Sequence, residues 1–113
     1  MYDLGTAEFE DHVADVIAGL PAEIGTRIKN VAFGVEDGVD PNLLGLYRGV
    51  SLDRRGDNYA FQLPDTITIY RLPILARSSS REDVRQRIEV TVKHEIGHYF
   101  GIDDARLHEL GFG

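Results

Sequence analysis

The sequence contains no cysteine. That excludes disulfides and thiolate metal sites, so a chain of 113 residues must depend on its hydrophobic core or on a bound ion. Basic residues are also scarce: 12 Lys+Arg stand against 19 Asp+Glu, a formal net charge of −7. A nucleic-acid or anionic-membrane surface needs a basic patch, so neither partner is expected. Long apolar runs are missing, and nothing is predicted to span a membrane. The start, Met1 to Glu10, has no basic n-region and no apolar h-region, which makes the cytoplasm the expected location. Methionine occurs only as Met1.

What is present is ordinary for a globular protein, 42% apolar and 27% charged. The length suits one domain over residues 1–113, and no repeat or linker divides it. Thr6 reads as the N-cap of a first helix, on which Phe9, Val13, Val16, Ile17 and Leu20 share a face. A second short helix is expected after Pro21, running to Ile28. Val31 to Glu36 alternates as a strand and Asp37-Gly38 turns the chain. Asp40-Pro41 predicts a short helical turn near Leu43 and Leu44. Ser51 to Asn58 reads as an exposed loop, with Arg54 and Arg55 solvated. Thr66 to Tyr70 is the clearest strand, and Leu72 to Leu75 leads into a turn or short helix. Ser79 and Glu82 have the spacing of a capping box. From there a helix runs to Phe100, with Val84, Ile88, Val92, Ile96, Tyr99 and Phe100 on one apolar arc. Gly101 offers its left-handed cap, and a closing helix spans Asp104 to Leu110.

That long helix carries His94-Glu95-Ile96-Gly97-His98. Histidines at i and i+4 lie one turn apart, so both imidazoles can reach one ion. Glu95 falls at the seam between the histidine face and the apolar arc, where its carboxylate can approach a water on the metal. Gly101 permits the reversal that brings Asp104 back, completing H-E-x-x-H-x-x-G-x-x-D. Two neutral histidines and one carboxylate make a zinc site with an open position, the mark of a catalytic rather than a structural ion. The expected chemistry is peptide hydrolysis by a zinc-bound water, with Glu95 as general base. Tyr47, Tyr59, Tyr70, Arg71 and His108 are the candidates for stabilising the oxyanion, and the sequence does not choose among them.

The extended motif from His94 to Asp104 resembles the zincins in the variant where aspartate replaces the third histidine. Together with Leu43-Leu44-Gly45-Leu46-Tyr47 and Leu63 to Tyr70, it makes nearly the whole chain similar to the minimal zincin-like metallopeptidases, small bacterial proteins. The resemblance implies an α+β fold, a small twisted sheet packed against an active-site helix. It implies His94, His98 and Asp104 as zinc ligands and Glu95 as catalytic base. It also implies that Thr66 to Tyr70 is the edge strand above the cleft, where an extended peptide would pair. The chain departs from larger zincins in having no methionine turn and only nine residues after Asp104.

Competing readings stand beside these. Asp104 is also a good N-cap for the closing helix. Asp103 is a possible substitute ligand at a departing spacing. His94 and His98 could be a partly exposed pair without an ion. His12 reads as structural, His108 as solvated, and Tyr47 and Tyr70 as packing residues. For function, the alternative to a peptidase acting on a peptide or protein is a metal-holding module that binds a peptide or partner without cutting it. A non-haem iron oxygenase shares the two-histidine, one-carboxylate set, but has no use for a glutamate beside the metal water.

Overall fold

The computed structural model describes residues 1–51 and 64–109, the side chains of Leu107 and His108 excepted. Helix α1, Thr6–Ala18, buries Phe9, Val13 and Val16, while Ile17 and Leu20 pack at the margin of the same core. Its N-cap is Gly5, whose carbonyl accepts from the Phe9 amide; Thr6 is already helical and caps nothing. Helix α2, Ala22–Gly25, is one turn long and stops short of the expected Ile28.

Strands β1, Val31–Glu36, β2, Gly45–Arg48, and β3, Asp65–Tyr70, form one sheet in the order β1-β3-β2. β1 runs parallel to β3 and β2 antiparallel to it. The expectation that Thr66 to Tyr70 forms the edge strand is therefore corrected: it is central. β2 is an outer strand among the described residues, and it packs on the long helix. The predicted helical turn before it is instead a turn in which Asp40 accepts from the amides of Asn42 and Leu43.

Period-two alternation puts Val31, Phe33 and Val35, Ile67 and Ile69, and Gly45 and Tyr47 on one face of the sheet. Ile67 and Ile69 are fully buried there. Helix α3, Arg71–Arg77, follows β3 directly and buries Pro73, Ile74 and Leu75.

Helix α4, Arg81–Tyr99, supports the whole arrangement. Its N-cap is Ser80, not Ser79: the Ser80 hydroxyl accepts from the Asp83 amide. The Asp83 carboxylate reaches back to the Ser79 amide, one residue before the position a capping box would use. Val84, Ile88, Val92, Ile96 and Tyr99 are buried against α1, α3 and the sheet. Thr91 and Glu95 are buried on an adjoining stripe that faces β2. No described helix is long and apolar enough to cross a membrane.

Candidate metal centre

α4 ends in a Schellman turn. The Gly101 amide donates to the His98 carbonyl and the Ile102 amide to the Gly97 carbonyl. Gly101 has φ +87°, a conformation that side chains with a Cβ rarely adopt. The chain then enters helix α5, Asp104–Glu109. Asp103 caps it by accepting from the Arg106 amide at 2.9 Å. Capping therefore falls to Asp103, and the Asp104 side chain turns back toward α4.

There Asp104 Oδ1 lies 3.1 Å from His94 Nε2 and 3.0 Å from His98 Nε2. The two rings stand edge to face, 4.8 Å apart. The His98 Nδ1 is 3.1 Å from the Ile102 carbonyl oxygen, which can only accept. Nδ1 therefore carries the proton, and in neutral imidazole Nε2 is left with a bare lone pair. That lone pair faces a carboxylate oxygen. Two acceptors at hydrogen-bond distance need a proton or a cation between them.

Glu95 is 7% exposed and lies beside the histidines. One carboxylate oxygen of Glu95 and one ring nitrogen from each histidine fall within 4.8 Å of one another. Burial pushes its carboxyl above the ordinary range, partly offset by His98 and His94, whose charge when protonated favours the carboxylate, and by the Tyr47 amide, which donates to it; the Asp104 charge adds to the rise. The antiparallel register explains that contact. The Tyr70 amide donates to the Leu44 carbonyl, so Leu44, Leu46 and Arg48 turn their backbone groups toward β3 and Gly45 and Tyr47 turn theirs away. Gly45 lets β2 come this near: a Cβ there would sit 2.6 Å from Thr91 Cγ2 and 3.2 Å from Glu95 Cγ.

The histidines thus belong to two overlapping trios, one with Glu95 and one with Asp104. Donors 2.0–2.1 Å from a tetrahedral zinc stand about 3.3 Å apart, and the Asp104 distances to the two histidines, 3.1 and 3.0 Å, are close to that spacing. Imidazole nitrogen and carboxylate oxygen suit zinc, so the donor set fits the ion.

The oxyanion candidates fare differently. The Tyr47 hydroxyl donates to buried Asp65 at 2.6 Å, and its ring packs edge-on against Tyr99. Arg71 is held by Asp37 and by the Leu4 carbonyl. Tyr70 lies on the other face of the sheet, against Gly38. Tyr59 and Arg54-Arg55 lie outside the described residues, as do the His108 side chain and, from Leu52 on, the expected loop. The sequence reading missed β2 and the Tyr47–Asp65 pair. The only signal was the apolar pair Leu46-Tyr47, too short between glycines to read as a strand.

A family model described as zincin-like metallopeptidase matches residues 28–113, leaving α1 and α2 outside the match. No curated protein matches the chain.

Proposed function

Because the chain belongs to the zincin-like metallopeptidase family, we propose that it is a zinc-dependent peptidase in which His94, His98 and Asp104 hold the ion and Glu95 moves the proton. The observation that carries this reading is Asp104 Oδ1 lying 3.1 Å from His94 Nε2 and 3.0 Å from His98 Nε2, the nitrogen that is an acceptor when the His98 ring is neutral and its Nδ1–H donates to Ile102. A cation resolves that opposition of acceptors, and the Ile102 carbonyl behind the ring sets the tautomer a ligand requires. Zinc, when bound, supplies a Lewis acid and lowers the pKa of water toward ~7.

The protein's own residues do the rest. Glu95 takes a proton from the attacking water as its oxygen bonds to the scissile carbonyl carbon. It then passes that proton to the amide nitrogen as the carbon–nitrogen bond breaks. The Tyr47 amide steadies the carboxylate, and burial raises its basicity. The substrate is a peptide or protein.

The test has two parts. Metal content of natively purified protein should be one equivalent of zinc; one equivalent of iron would overturn the assignment. Wild type and Glu95→Gln are then compared on a peptide library. Cleavage by wild type alone supports the peptidase. Zinc in both and cleavage by neither leaves the metal-holding, peptide-binding module.

A further inference from the structure

The two sides of the metal centre differ in chemistry. Beyond His98 the cavity is bounded by Ser51, Asp103 and Asp104, with Tyr47 and Val50. Beyond His94 and Glu95 a separate cavity is bounded by Asn42, Leu43 and Leu44, by Gly45 of β2 and by Val90 and Thr91 from α4. This second cavity holds 270 Å³, below the ~300–1,000 Å³ of sites for drug-sized ligands and suited to one large side chain. It continues along α4 past Leu44 and Val90 into a further 290 Å³ that ends at Asp83, Gln86 and Arg87. Asp83 and Arg87 are paired at 3.2 Å, so that end presents no net charge. Val90 stands 43% exposed on the rim, a valine kept at the surface beside the reacting groups.

We propose that this groove is a specificity subsite: a polypeptide substrate places a large aliphatic side chain between Leu43, Leu44 and Val90, next to the bond that faces Glu95. The proposal rests on reading the metal centre as the place where a peptide is held. Its occupant is an uncharged aliphatic group because Leu43, Leu44 and Val90 give the groove an aliphatic wall and the paired charges at the far end offer no partner to an ion. Removing such a side chain from water sets the effect at about tenfold or more in affinity.

The test uses the zinc-loaded full chain carrying Glu95→Gln, so that binding is read without turnover. Two end-blocked, fluorescent octapeptide pools have a central residue fixed as Leu or as Asp, with only Ala, Ser, Gly and Thr elsewhere. By anisotropy the Leu pool should bind at least about tenfold tighter. Adding Val90→Asp should abolish that preference while melting temperature and zinc content stay at the parent's values. Adding Leu72→Asp, at the comparably exposed Leu72 of α3, should leave it intact. Equal binding of the two pools overturns the proposal, as does a Leu preference that survives Val90→Asp. Wild-type protein separates this from the catalytic reading. Val90-dependent binding without cleavage supports the subsite and rejects the peptidase. Cleavage with no aliphatic preference beside the cut rejects the subsite and keeps the peptidase.

Discussion

At the scale of the residue, the site turns on one carboxylate offered and one withheld. Asp104 is offered: its side chain is 81% exposed, yet it sits against both Nε2 atoms while Asp103 does the capping. Asp104→Asn keeps the shape and removes the charge, so zinc affinity should fall by at least about tenfold, measured by competition with a chelating dye; loss of a ligand's charge costs at least what loss of its hydrogen-bonding support does. Glu95 is withheld, buried behind the Tyr47 amide. Glu95→Gln should retain one equivalent of zinc, and peptide hydrolysis by it should drop by about a hundredfold or more, the usual worth of a general base. If Glu95→Gln lost its zinc instead, Glu95 and not Asp104 would be the third donor.

At the scale of the element, α4 is defined by its two ends and by its fit to β2. Ser80→Ala removes the cap and should cost about 1 kcal/mol in urea unfolding. The Ser79 amide and the charge of Arg87 hold the Asp83 carboxyl below its usual range. A depressed carboxylate contributes stability that is present above its unfolded pKa and is lost as pH falls through the folded one. The advantage of wild type over Asp83→Asn should therefore begin to shrink near about pH 4 and vanish only as pH falls further, through the depressed folded pKa. Gly45→Ala would drive a methyl against Thr91 at 2.6 Å and should destabilise by about 1–3 kcal/mol, unless β2 lifts away from α4 and the Tyr47 amide from Glu95. These elements also show what a sequence makes legible. α4, its left-handed glycine and the Asp104 reversal are written in local spacing, so helix, turn and candidate donors could be placed from residues 79–104 alone. β2 could not: four residues with a glycine at the start carry too little alternation, and their strand character comes from β3. Which of Ser79 and Ser80 caps, and which of Asp103 and Asp104, are choices between neighbours that only the packed backbone makes. The edge position went to β2 rather than β3 because strand order is a property of the sheet.

At the scale of the molecule, the two candidate histidine donors sit on a helix end that the rest of the fold holds in place. Zinc should raise thermal stability through linkage, by about 2.7 kcal/mol at a hundredfold excess over its dissociation constant, and calorimetry with and without a chelator reads this as a shift of several degrees. Tyr99, the residue after His98, is buried, and its hydroxyl donates to the Lys29 carbonyl and accepts from the Lys29 amide, each at 3.2 Å. This contact joins residues 70 positions apart. Closing that span is slow, since its entropy is lost before any contact repays it. The expectation is that the end of α4 carrying His94 and His98 takes its final shape after the rate-limiting barrier. Stopped-flow refolding should run at the same speed with or without zinc, and the ion should act almost wholly by slowing escape from the native state.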